Sequence, residues 1–308
     1  MIMNMNTESK NKQLVIDDII SKTNGSPAYM DHHIRRKLAP FVLFDAGLVP
    51  MPSMLVDWHS HSGVATISLP FEGVIYHNDS TRLFSEIKQD NSTINKAINN
   101  EQAIHSGGAQ WMASGNGIWH RERGESIDNK LGLIQSWLLL PPGEEKNQEN
   151  GEPTYNDLQD TEINQITDKQ GTTTKVLIGQ FKLDNKVVKG NLTIRDDVNY
   201  FYVHIKQGQT WQFDIPEEFT RGLMYVTKGN VSLDKSEIDT EQLAIWYDST
   251  AKVNITTKED SEFVFAVAKP WPHKMVVNYG QVHSSKQNLE AGTKQINKIG
   301  AQLKSILK

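Results

Sequence analysis

Cysteine is absent from this chain of 308 residues. That excludes disulfides, thiolate ligands and a cysteine nucleophile, so any metal must be held by His, Asp or Glu. No apolar run reaches the ~18 residues of a transmembrane helix, and the opening MIMNMNTESKNKQ lacks the apolar stretch of a secretory signal. Blocks of Lys and Arg are missing as well. With a formal net charge of −5, the chain has no general attraction for nucleic acid or an anionic membrane. The expectation is a cytoplasmic protein, a monomer or weak oligomer, whose partners are small ligands or other proteins, with no direct nucleic-acid or membrane contact.

What is present is β-rich. The length and a hydrophobic content of 37% fit two domains of ordinary size. Residues 1–38 are polar and mixed and read as an N-terminal arm. Over 39–142 the chain breaks into short β-prone runs (FVLF, VATISLPF, GVIY, QWM, GIWH, SWLLL) punctuated by Gly, Pro, Asn and Asp. Residues 143–174, rich in Pro, Gly, Glu, Asn and Thr, read as a surface-crossing linker. A second strand series fills 175–285, from KVLIGQF to EFVFAVA and beyond. Residues 286–308 place Leu289, Ile296, Ile299, Leu303, Ile306 and Leu307 at helical spacings, which predicts one amphipathic C-terminal helix packed on a barrel. The Asn-rich stretch 83–102 interrupts the strand pattern; Ser92 or Thr93 could cap a short helix in it, and it is read as a surface ornament rather than a lid over a site, because its composition is polar.

Two short motifs carry chemistry. His59 and His61 are two apart beside an alternating run, so their imidazoles share one face of a strand. His120 and Glu122 repeat that spacing, and Gly115 and Gly117 permit a turn that delivers the second pair beside the first. Three neutral imidazoles and one carboxylate would leave a divalent ion with a net charge of about +1, suited to a monoanionic ligand such as an enolate, phenolate or superoxide. A closed tetrahedral zinc site is the alternative for such ligands, but it usually has thiolates. An open Fe(II)-type or Mn-type site is the reading adopted.

The order of motifs resembles the pirin family of the cupin superfamily over nearly the whole chain after the arm. The resemblance is carried by Phe41-Val42-Leu43-Phe44-Asp45, by His59-Ser60-His61 and by Glu72-Gly73-Val74-Ile75-Tyr76-His77-Asn78-Asp79-Ser80. It continues through Gln110 to Glu122, Gln135-x-Trp137, Leu140-Pro141 and Glu152-Pro153-x-Tyr155-x-Asp157. It implies an all-β bicupin: two tandem cupin (double-stranded β-helix or jelly-roll) barrels with a C-terminal α-helix. It further implies that His59, His61, His120 and Glu122 bind one divalent transition metal, with Fe(II) as the first choice and Mn, Ni or Cu as others.

Only the N-terminal barrel is expected to hold metal. The second half offers scattered His204, His273 and His283, and Trp211 to Ile215 contains no ligand. His77 is read as a structural hydrogen-bonding group, and Trp58, Trp111, Trp119 and Trp137 as barrel packing. The sequence departs from the family at Ser62-Gly63-Val64-Ala65-Thr66, at Ser106-Gly107-Gly108 and at Asn116, which points to a rebuilt pocket mouth.

The resemblance implies a quercetin 2,3-dioxygenase-type oxidoreductase that cleaves a small aromatic substrate, a flavonol, with O₂, Glu122 acting as catalytic base. The alternative is a non-catalytic, redox-sensing interaction protein serving a protein partner as a transcriptional or metabolic co-regulator.

Overall fold

The computed structural model describes residues 13–22, 29–49, 55–89 and 94–307. Alternating side chains produce two sets of eight strands. The first is β1 (Phe41–Leu48), β2 (Leu55–His61), β3 (Val64–Glu72), β4 (Val74–Asp79), β5 (Gln102–His105), β6 (Ala109–Ala113), β7 (Ile118–Glu125) and β8 (Gly132–Leu139). The second is β9 (Val198–Ile205), β10 (Thr210–Asp214), β11 (Arg221–Lys228), β12 (Val231–Leu233), β13 (Ser236–Ile238), β14 (Gln242–Trp246), β15 (Lys252–Thr257) and β16 (Ser261–Ala268).

Each set forms two sheets, and the strand orders correspond one for one. In the first, β6-β3-β8-β1 faces β2-β7-β4-β5; in the second, β14-β11-β16-β9 is the counterpart of the former and β10-β15-β12-β13 of the latter. This is the jelly-roll arrangement of a cupin, twice over. Burial follows the period of two most plainly in β7, where Ile118, His120, Glu122 and Gly124 point inward and Trp119, Arg121 and Arg123 lie on the outer side.

Residues divide between two compact units differently from the expected boundaries. Unit 1 comprises 1–22, 165–189 and 195–270; unit 2 comprises 23–164, 190–194 and 271–308. The expected arm is split. Asp18–Ser21 pairs with β14 as an edge strand of unit 1, and helix α1 (His32–Leu38), capped by the Asp31 side chain, leads into β1 of unit 2. The expected linker contains Thr154–Leu158, which pairs with β6 at every residue, because Tyr155 and its neighbours supply a strand that the Pro/Gly composition around them disguises. The second domain was expected to run to 285 but ends at 270, and residues 271–308 return to unit 2.

That returning segment carries helix α4 (Lys286–Ile306), capped by Ser285. Its buried positions, Gly292, Ile296 and Leu303, fall on one stripe, and the Trp119 indole donates to the Ile296 carbonyl at 2.7 Å. The stretch read as an ornament is two helices, α2 (Ser80–Gln89) and α3 (Ile94–Asn99). Leu83 and Ala97 are buried, and Phe84, Ile87 and Ile98 pack with them against Leu303, Trp58 and Trp119. The excursion is therefore part of the body of unit 2.

Candidate metal centre

Strand pairing assembles the site. β2 and β7 run antiparallel with His59 directly opposite His120, after a register shift between Val56 and His59. On the other edge of β7, β4 sets His77 opposite Glu122 and Asp79 opposite His120. The ring centroids of His59 and His120 are 4.1 Å apart, those of His59 and His61 4.9 Å, and those of His61 and His120 5.1 Å. Two overlapping donor sets result. Ring nitrogens of His59, His61 and His120 lie within 4.8 Å of one another, and so do donor atoms of His77, His120 and Glu122. The four residues singled out in the sequence are thus adjacent, but Glu122 is grouped through His120 and with His77, and the four do not form one set.

The surroundings orient the donors. The Nδ1–H of His59 donates to the Asp57 carbonyl at 2.8 Å, and that of His61 to the Gly280 carbonyl at 3.0 Å. Each leaves Nε2 as the free lone pair, the tautomer a metal ligand needs. The Glu122 oxygens accept from the amides of Gln110 at 2.8 Å and Gln135 at 3.1 Å, and the Tyr155 hydroxyl donates to the Gln110 amide oxygen at 3.0 Å. Burial, joined by the neighbouring His59 ring, lowers His61 to about pKa 4 against the weaker opposing effect of Gly280. Burial also holds His120 well below its ordinary value, with His61, His59 and His77 adding to the effect. These rings stay neutral near pH 7.

His120 is 1% exposed, and neither of its ring nitrogens has a hydrogen-bond partner. A buried imidazole left so costs about 1–3 kcal/mol. An ion at its nitrogen removes that cost. Nitrogen and oxygen donors without sulfur suit a first-row divalent metal, so the residues present fit the implied group.

Trp137 meets His61 edge-on at 4.7 Å, Trp111 is buried and donates to Asn147, and Trp58 and Trp119 pack with α2 and α3. A cleft of about 430 Å³ adjoins the site, lined by Arg82, Ser85 and Glu86 of α2 and by Asp79, Ile118 and Tyr155 among others. Its size is that of a small-molecule pocket.

Beside His61 lies a second buried polar array. The Ser62 hydroxyl is 2.9 Å from His283 Nε2 and donates to Gln281 at 2.9 Å, while His283 Nδ1 is 3.3 Å from Glu149. Burial raises the Glu149 carboxyl, but His283, Ser284 and Asn288 outweigh it and bring it to about pKa 2. His283 was read as a scattered histidine of the second half; it belongs to unit 2. The contributions of Gln110, Gln135, Tyr155, Gly280 and the Ser62–His283–Glu149 array to this site were not read from the sequence. Gln110 and Gln135 do stand inside the motifs quoted above, and Gln110 faces the interior with Met112.

Two cupin barrels, one with a buried His-rich donor cluster, define a bicupin with a candidate metal site. The family model described as pirin matches residues 93–138, and that described as pirin C-terminal cupin domain matches 200–298. Pirin-1 of Arabidopsis thaliana is 24% identical over 77% of this chain and 74% of its own. The crystal structure of quercetin 2,3-dioxygenase from Acinetobacter baumannii superposes with a TM-score of 0.71 at 19% identity, covering 93% of this chain and 98% of that one. Bacterial pirin YhhW from Escherichia coli, solved in complex with nickel(II), gives 0.57 at 17% identity, covering 82% and 90%. The chain is thus similar to the pirin family in a segment of each barrel. Among the described residues, no helix is long and apolar enough to cross a membrane.

Proposed function

We propose that this chain is a metal-dependent dioxygenase acting on a flavonol such as quercetin, with the ion held by His59, His61, His120 and Glu122. The observation that carries the reading is His120, buried with both ring nitrogens unpartnered and faced by anchored imidazoles. Fe(II) is the first expectation, and nickel(II) in a structurally similar pirin supports a site open to other divalent ions. A metal bound there supplies Lewis acidity toward a substrate hydroxyl and redox access to O₂.

The protein's own groups do the rest. The anchored rings of His59 and His61 keep their donor nitrogens in place. Glu122 is the proton acceptor for the substrate hydroxyl, oriented by Gln110 and Gln135. The cleft beside α2, of about 430 Å³ and bounded by Tyr155 and Asp79, is the candidate place for a small substrate.

The test is elemental analysis of protein purified without chelators, followed by O₂ uptake with quercetin. About one equivalent of metal and substrate-dependent O₂ consumption, both lost in Glu122→Ala, support the reading. Metal without O₂ uptake across a flavonol panel overturns the dioxygenase assignment and moves attention to redox sensing toward a protein partner.

A further inference from the structure

Ser62 follows His61 in the chain, and its partners come from residues 281–283. Its carbonyl accepts the Val282 N–H at 3.2 Å. Its hydroxyl donates to the Gln281 amide oxygen at 2.9 Å and lies 2.9 Å from His283 Nε2. Ser62 and Gln281 form a parallel bridge, so the short strand Gln281–His283 runs beside the end of β2. One residue earlier, the Gly280 carbonyl accepts from His61 Nδ1. The place of that carbonyl is therefore set by how 281–283 is seated on Ser62.

His283 is held in turn from behind. Its Nδ1 is 3.3 Å from Glu149, and both side chains are buried. Glu149 also accepts the Ser284 N–H at 2.7 Å, the Ser284 hydroxyl and the Asn288 side-chain amide, which ties it to the first turn of α4. Serine, histidine and carboxylate are aligned as in a hydrolytic triad, but the serine cannot attack a substrate. Ser62 is fully buried, and Gly292 of α4 is packed so closely that a Cβ there would stand 2.5 Å from the hydroxyl and 2.7 Å from His283 Nε2.

Two more glycines allow the same close approach. At Gly63 (φ +75°) a Cβ would meet the Val282 carbonyl at 2.0 Å, and at Gly280 (φ +68°) the Ser60 carbonyl at 2.8 Å. A segment that only covered the barrel would not need buried polar groups here, since apolar contact avoids their desolvation. The other end of α4 docks in that apolar way, Leu303 packing with Leu83, Ala97, Trp58 and Trp119. The polar end is the one beside His61.

We infer that Ser62, His283 and Glu149 are positioning residues for His61: they seat 280–283 on β2, so that the Gly280 carbonyl fixes the His61 proton on Nδ1 and leaves Nε2 as the donor atom. What this implies for a bound ion rests on the metal-binding reading above.

Long-range proton–nitrogen NMR of the metal-free full chain reads the tautomer without any ion. His61 is expected as a single Nδ1–H form in the wild type and as a mixture of tautomers in Ser62→Ala and in Glu149→Gln, with cobalt(II) affinity lowered at least ~10-fold in each. Leu303→Ala is the control. It loosens the apolar end of α4 and leaves the array in place, so it should melt lower with the tautomer and the cobalt affinity of the wild type. His61 held as one Nδ1–H form in both array variants, an unchanged affinity in both, or an equal disturbance in Leu303→Ala overturns the inference. A tautomer fixed in the wild type and lost in the array variants, in a protein that binds no cobalt(II), manganese(II) or anaerobic iron(II), overturns the metal-binding reading and leaves the positioning of the ring standing.

Discussion

The two barrels share one strand plan and fill it oppositely. Across β2 and β7, His59 faces His120 and His61 faces Ile118; across β10 and β15, Trp211 faces Ile255 and Phe213 faces Val253. On the other side of the same strands, His77 faces Glu122 and Val231 faces Thr257. Trp211 lies within 6.3 Å of five phenylalanine rings, Phe181, Phe201, Phe213, Phe263 and Phe265, by centroid. Burying each large apolar side chain contributes about 1.5–3 kcal/mol, whereas a buried imidazole without partners costs free energy. The architecture therefore does not need the donors. Their burial in the first barrel costs stability that the second barrel does not spend.

The largest effect should come from breaking the filled barrel. Trp211→Ala is expected to lower unfolding free energy by about 3–5 kcal/mol, read by urea denaturation; a loss under about 1 kcal/mol would mean that the aromatic core relaxes around the gap. Next is acidification of the metal-free protein. His61 titrates near 4 when folded against an ordinary value of 6.5, so the unfolded chain takes the proton first. The stability associated with its neutral ring is complete above pH 6.5 and is lost as pH falls toward 4, by about 3 kcal/mol in all.

The second barrel answers in a lower window. Burial raises the Glu262 carboxyl, but His204 and Tyr202 bring it from 4.5 to about 2, so its contribution is lost only between those values. Urea midpoints at pH 7, 5 and 3 separate the His61 window from the lower one that Glu262 shares with Glu149 of unit 2, and a midpoint unchanged from pH 7 to 5 would contradict the neutral, buried His61.

The smallest effect sharpens the comparison from the other side. His120→Ile installs the second barrel's residue in the first. Metal content should vanish while the apo protein gains about 1–3 kcal/mol by losing two unsatisfied nitrogens. Retained metal would show that the ion does not need His120, and an apo protein markedly less stable would show that His120 has partners in solution.

Strands and the spacing of the candidate donor pairs were legible in the sequence because both depend on local periodicity. His59/His61 and His120/Glu122 keep the two-residue spacing that one face of a strand requires, and the order of motifs gave the family. The place of His77 opposite Glu122 was not read, since it depends on the register of β4 against β7. A short helix after Thr93 was expected and is α3, the expected caps Ser92 and Thr93 lying outside the described residues; helix α2 was hidden because Leu83, Phe84 and Ile87 are diluted among polar residues, although their spacing of one to four already describes a helix face. The amphipathic tail was recognised, but the unit it joins was not. Nothing local distinguishes residue 271 as the start of a return to unit 2.

The hydrogen bond from His61 to Gly280 spans 219 residues of sequence, and it sets an order of events in the life of the chain. While the polypeptide is being made, His61 emerges long before its acceptor exists, and the segments of unit 1 from 165 to 270 must be translated in between. The tautomer of that ring is fixed only after residue 280 has been made. A nascent fragment that stops short of Gly280 consequently carries all four candidate donor residues without the carbonyl that orients one of them.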